Sequence, residues 1–320
     1  MATVSGQGTT FNLPNYPGEL FSVAPSETPF LSAIGGLGAG KTTSSVEFEW
    51  QTEDLESTSV NNAKLEGATA PAGSEVSRSG VSNVVEIHQE AIEVSYTKQA
   101  AVGLHNGINT EASNPVRDEL THQVMLKLKK VAVDVEKSFL SGVYAKPATN
   151  ATARTTRGVL TAITTNLFAN AGVGRALSKA IVDNALSDMF ENGAPLDLEN
   201  TVFMVGPGQK INLTNVYSAA GLNQPTESRN LGGVAISQLL TDFGTFGVML
   251  NRWMPAGQIG IVDLSVCAPV FLNVPSKGHL FVEPLAKTGA SEKYQVYGEI
   301  GLEYGPESYH GLIGDLNAPA

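Results

Sequence analysis

One stretch of this chain cannot make a core of its own. Val46-Glu-Phe-Glu-Trp50 alternates apolar and acidic side chains with the period of a half-buried strand. Residues 84–97 (VVEIHQEAIEVSYT) form a second β-rich run. Between them, from Gln51 to Asn83, the chain is mostly Ser, Thr, Ala, Gly and Glu, and its large apolar side chains are Leu55, Val60, Leu65, Val76 and Val81. A connection longer than about 12–15 residues in a compact domain is usually functional or disordered. A lone two-stranded hairpin is marginal in water. If this one is ordered, something outside its own domain must hold it.

The composition points the same way. A chain of 320 residues holds one large domain or two modest ones, and 42% hydrophobic content is enough for a sizeable core. Charged residues are only 16%, against about 25% in an average soluble protein. Glycine, of which there are 33, fills the deficit with Ala, Ser, Thr and Asn. A surface so poor in charge suits contact with other protein. The net charge of −11 argues against a dedicated nucleic-acid binder, whose phosphate contacts need clustered Lys and Arg, but not against a protein that encloses DNA. A single cysteine, Cys267, excludes an internal disulfide framework and a Cys-based zinc site. No run approaches the roughly 20 apolar residues of a membrane span. The opening MATVSGQGTTFNLP has neither a basic nor an apolar signal region. The expectation is a chain made in the cytosol, where the sequons at Asn150 and Asn212 carry no meaning.

Residues 1–30 show no helix or strand period. Phe11, Tyr16, Phe21 and Phe30 punctuate them. Either the segment is a disordered tail, or its spaced aromatics anchor a strapping arm on another surface. Further on, Val116, Leu120, Val124, Leu128, Val131, Val135 and Phe139 recur in steps of three and four, one apolar stripe of a long helix. Asn114 or Ser113 can cap it, Pro115 suits its first turn, and Gly142 ends it. Over 114–141 it spans roughly 42 Å, a strut across a molecule. From Gly158 the pattern becomes mixed α/β. Helices are expected over 175–191 and 207–218, and strands over 201–206, 234–240, 247–253 and 258–272. Residues 278–313 read as a hairpin turning at TGASEK.

Chemical motifs are sparse. Gly35-Gly-Leu-Gly-Ala-Gly40-Lys41-Thr42 fits the phosphate-binding expression GxxxxGK[ST]. A working loop of that kind needs a helix N-terminus behind it, and TTSSVEFEW is β-branched and alternating instead. The plainer reading is a flexible hinge. The histidines at 88, 105, 122, 279 and 310 show no metal-ligand spacing and are expected at the surface or in interfaces. Glu86, Glu90 and Glu93 read as a solvated strand face, and Lys127 with Lys130 as the wet side of the long helix. Cys267 reads as a buried small hydrophobe. No cofactor is implied.

The order of arm, outstretched hairpin, strut helix and compact α/β region resembles the major capsid proteins of tailed bacteriophages, the Hong Kong 97-type fold shared with encapsulins. Local sequence resembles the SU-ten-like branch at Pro25-Ser-Glu-Thr-Pro-Phe-Leu31, Phe48-Glu-Trp-Gln-Thr-Glu-Asp-Leu55 and Tyr96-Thr-Lys-Gln-Ala100. The run Glu292-Lys-Tyr-Gln-Val-Tyr-Gly-Glu-Ile-Gly-Leu-Glu303 with His310-Gly-Leu-Ile313 adds to it. The resemblance implies an α+β fold with an N-terminal arm over 1–45, an extended E-loop over 46–98 and a P-domain with its spine helix over 99–157. An A-domain over 158–272 and P-domain return strands over 273–320 would follow.

It also implies a structural protein rather than an enzyme, forming hexamers and pentamers of an icosahedral virion shell. The partners would be the chain itself, packaged double-stranded DNA bound without sequence preference, a separate scaffolding protein, a portal and a decoration protein, with no membrane. The assembly candidates are Phe11, Tyr16, Phe21, Phe30, Trp50, Leu55, Lys64, Leu65, Asn223 and Arg229. Lys64 is the one Lys between Val46 and Thr97, and some relatives form a Lys–Asn crosslink from this loop. The alternatives are a P-loop NTPase using Gly35, Lys41 and Thr42, and an encapsulin-like cargo shell.

Overall fold

The computed structural model describes residues 22–55, 58, 60–73, 75–100, 116, 118–219, 229–231 and 234–318, with backbone alone at 218, 219, 229–231 and 234–237. The chain divides into two compact units. The larger is drawn from Glu27–His88, Ala132–Leu280 and Gly298–Ala320. The smaller centres on Gln89–Val131 and Phe281–Tyr297.

The elements begin with a short helix α1 (Pro29–Ala33) and strands β1 (Lys41–Thr43), β2 (Glu47–Glu53), β3 (Arg78–Val84) and β4 (Glu86–Ser95). Helices α2 (Tyr96–Ala100), α3 (Glu119–Ser141) and α4 (Val159–Ala162) follow, then β5 (Leu167–Phe168), α5 (Lys179–Glu191), β6 (Thr201–Val205) and α6 (Pro207–Ala219). The rest is β7 (Arg229–Leu231), β8 (Val234–Thr241), β9 (Gly244–Leu250), β10 (Ile259–Asp263), β11 (Ala268–Leu272), β12 (Leu280–Pro284), β13 (Ser291–Glu303) and β14 (Gly311–Ile313).

A seven-stranded sheet forms the heart of the larger unit, in the order β5-β14-β10-β6-β9-β8-β7. β6 and β10 are its central strands, and every residue of both is buried. That is why they read as continuous apolar runs rather than alternating ones. Helix α5 is capped by Ser178, whose hydroxyl accepts from the Ile181 amide, and turns Val182, Ala185, Leu186 and Met189 inward. They meet Phe203, Val205, Ile259 and Ile261 from the strands and Leu213 and Tyr217 from α6. Burying each large side chain contributes roughly 1.5–3 kcal/mol. α5 lies so close to β14 that a Cβ on Gly311 would stand 2.4 Å from the Met189 sulfur.

Elsewhere in the larger unit β1 runs parallel to β11, and β11 antiparallel to the end of β13. β2 and β3 form a separate two-stranded ladder, from Glu47↔Val84 to Glu53↔Arg78. In the smaller unit β13 lies beside β12 and β4. The Leu285 amide donates to Lys293 O at 2.8 Å, and Ser291 Oγ to Glu93 Oε1 at 2.7 Å.

Several expectations need correcting. The long helix starts at Glu119, where Asp118 accepts the Leu120 amide at 3.0 Å and so acts as its cap. Its 23 residues span about 34 Å. Residues 113–115 lie outside the described residues. The stripe itself is real: Val131, Val135 and Phe139 are buried, while Leu120, Val124 and Leu128 are half-buried. The partner of β2 is Arg78–Val84, not the 84–97 run, because β3 ends at Val84 and the chain continues from Glu86 as a different strand, β4. The stretch 258–272 is not one strand. Asp263 accepts from Ser265 N, a 3₁₀ turn follows, and β10 and β11 lie in different sheets. β14 joins the seven-stranded sheet through β10 and β5, so the tail of the 278–313 region leaves its hairpin.

Candidate functional site

The hairpin of β2 and β3 is fastened at its base within its own unit. Asn83 is fully buried and all its polar capacity is used. Its amide nitrogen donates to Leu302 O at 2.7 Å and Arg157 O at 3.1 Å, and its oxygen accepts from Val84 N and Arg157 N, both at 2.9 Å. Trp50 is half-buried. Its indole donates to Gly305 O at 3.0 Å and its ring meets Tyr304 edge-on at 4.9 Å. Phe48 lies over Gly301, where a Cβ would come within 2.7 Å of the Phe48 ring. Lys146 pairs with Glu47.

At the far end the described residues are exposed. Leu55 is 79% exposed, Leu65 86% and Val60 fully exposed. Lys64 is exposed beside them. A tight turn closes at Leu65, with Ala68 N donating to Leu65 O at 3.1 Å. Gly67 stands third in it with φ +78°, which a type II turn reserves for glycine. The tip thus has local order while its leucines face solvent.

The Gly-rich motif is spent on packing. Lys41 opens β1, so a strand stands where a phosphate-binding helix would begin. Its ammonium pairs with Glu303 at 2.7 Å. A Cβ on Gly40 would lie 2.4 Å from Pro269 O, and Gly35 turns the chain at φ +116°. Phe30 is fully buried in α1 within its own unit, not laid on another surface. Leu31 is buried beside it, and both backbone amides reach Glu136, a residue that carried no signal in the sequence. Phe11, Tyr16, Phe21, Asn223 and the Arg229 side chain lie outside the described residues.

The acid–base groups act structurally. His310 is fully buried, receives the Asp263 amide on Nδ1 at 3.2 Å and faces Tyr304 O from Nε2 at 2.7 Å. Burial holds its pKa below the ordinary imidazole value. His88 is buried too, its pKa lowered by the same cause, against Glu86 and Asp134. Both are core histidines rather than surface ones, because each lies in or beside a strand whose inward face is apolar. Glu90 pairs with Lys127 and Lys130, while Lys130 and Glu93 stay exposed, so this face is solvated as expected but carries ion pairs. Cys267 is buried, as expected, and burial pushes its thiol well up. Among the described residues no three His, Cys, Asp or Glu side chains could hold a metal ion, and no helix is long and apolar enough to cross a membrane.

The hairpin thus joins a fastened base to an exposed apolar tip. The sequence model of the SU10 major capsid protein family matches residues 3–317. The chain belongs to that family. The major capsid protein of Escherichia phage Phieco32 is 25% identical over 88% of each chain. Among solved structures, the capsid asymmetric unit of Cyanophage A-1(L) aligns with TM-score 0.64 at 13% identity, covering 95% of this chain and 97% of that one. The SrpI encapsulin of Synechococcus elongatus PCC 7942 aligns with TM-score 0.57 at 13% identity, covering 96% and 92%. The fold of this capsid protein is therefore the Hong Kong 97 type, with mixed helices and sheets. Its place is the virion of a tailed phage, and its partners in the shell are other copies of itself.

Proposed function

We propose that this capsid protein forms the hexamers and pentamers of an icosahedral shell around double-stranded DNA, with the tip of the β2–β3 hairpin lying on a neighbouring copy. The observation that carries this is the pairing of a locked base with exposed Leu55, Val60 and Leu65. Burying a leucine contributes roughly 1.5–3 kcal/mol, and repetition around a closed shell multiplies small pairwise energies. In this reading residues 1–45 are the arm, 46–98 the E-loop, 99–157 and 273–320 the P-domain, and 158–272 the A-domain. Gly311–Ile313 is better grouped with the A-domain, whose sheet it enters. A separate scaffolding protein, a portal and a decoration protein complete the partners. The net charge of −11 fits a wall that does not adhere to packed DNA.

Electron microscopy with sedimentation tests this on the wild-type chain and on Leu55→Ser/Leu65→Ser. Closed shells from the former and soluble subunits from the latter are expected. Shells formed equally by both would remove the hairpin tip from assembly. Shells holding a copurified enzyme and no DNA would favour an encapsulin-like container.

A further inference from the structure

Helix α1 has no cap of its own. Thr28 stands at the capping position, and its side chain makes no hydrogen bond to the helix backbone. A five-residue helix cannot sustain itself in water, and its first amides need acceptors. They find them on α3. Phe30 N donates to Oε1 of Glu136 at 3.0 Å and Leu31 N to Oε2 at 2.6 Å. Asn251 Nδ2 donates to the same Oε1 at 2.6 Å. Glu136 is fully buried, and a buried carboxylate is costly unless it is hydrogen-bonded in this way. The stitching continues outward. Asn251 Oδ1 accepts Trp253 N at 2.9 Å, and the Trp253 indole donates to Glu27 O at 2.9 Å. Arg252 Nε meets the Glu27 carboxylate at 3.2 Å, and the Lys137 ammonium sits 4.3 Å over the Trp253 ring.

We propose that Glu136 is a positioning residue for the N-terminal segment. By capping α1 from the side of α3, it holds residues 27–31 at one place on the larger unit. The clamp stands on its own geometry, whereas its effect on shell formation rests on the assembly reading.

Hydrogen exchange on the full-length, unassembled subunit tests the clamp. E136Q keeps the shape but replaces one acceptor oxygen with a donor. The amides of Phe30 and Leu31 are expected to exchange about tenfold faster, with those of β6 and β10 unchanged. E136D, which retains both oxygens, should recover part of the protection. Equal acceleration in β6 and β10 would make Glu136 an ordinary core residue and overturn the proposal. If E136Q does not fold, W253F removes only the indole donor to Glu27 O. Unchanged exchange over 27–31 in W253F would equally overturn it.

Shell yield is the second readout, under conditions where the wild type assembles. E136Q is expected to lower it several-fold with the sheet intact. A loosened root with wild-type yield would overturn the positioning role. A wild type that makes no shells would overturn the assembly reading and leave the exchange result to decide the clamp.

Discussion

The seven-stranded sheet and the hairpin tip belong to the same unit and obey opposite rules. In β6 and β10 every residue is buried. From Asp54 to Ser77 every described residue is exposed, including Leu55, Val60, Leu65 and Val76. The sheet is stabilised by its own chain. The tip has a local turn and a fastened base, and its apolar side chains Leu55, Val60, Leu65 and Val76 are exposed. In the proposed assembly these exposed side chains would serve association rather than folding.

This contrast can be broken deliberately. Truncating the sheet core should have the largest effect on subunit stability. Phe203→Ala is expected to cost roughly 3–5 kcal/mol in denaturant unfolding, since Phe203 packs fully buried against Phe246. A cost under about 1 kcal/mol would mean that the sheet is loosely packed.

The base comes next. Asn83→Ala strands the partners of a fully satisfied amide and should cost about 1–3 kcal/mol. Faster exchange in β2 and β3 than in β6 should accompany it, and uniform acceleration would show that the hairpin and the sheet are one cooperative unit.

Acidification should have a smaller effect. His310 and His88 both titrate below their ordinary range in the folded chain because burial disfavours the imidazolium. The unfolded chain therefore takes up these protons first, and the stability present above about pH 6.5 is lost progressively as pH falls below it. Glu136 works in the opposite sense, since burial raises its pKa against its three donors. Melting temperatures between pH 7.5 and 5.5 should fall, and fall less in His310→Gln. An identical pH dependence in that variant would remove His310 from the account.

The smallest effect on the subunit belongs to the tip. Leu55→Ser/Leu65→Ser should change unfolding by less than about 0.5 kcal/mol per site, although it is expected to abolish shells. A large loss of subunit stability would show that the tip packs on its own chain.

Much of this was legible in the residues. The alternation at Glu47–Trp50, the continuous apolar run at Thr201–Val205, the stripe from Leu120 to Phe139 and the poverty of Gln51–Asn83 all report backbone periodicity or its absence. Local pattern carries such signals because it determines which face of an element can be buried. The same reasoning rejected the phosphate-binding motif, and Lys41 duly opens a strand.

What only the tertiary structure decided was pairing. Nothing near Asn83 announces that it will bind Leu302 O, nothing near Glu136 that it will cap α1, and nothing in His310 that it will take the Asp263 amide. The same is true of β2 choosing Arg78–Val84, and of β10 and β11 parting into different sheets. A hydrogen bond between residues far apart depends on where the whole chain has brought them, and a buried polar group takes whichever partner the packing supplies. Periodicity is a property of neighbours in sequence, so it could say that the hairpin needs a holder, but only the folded chain could show where that hold begins.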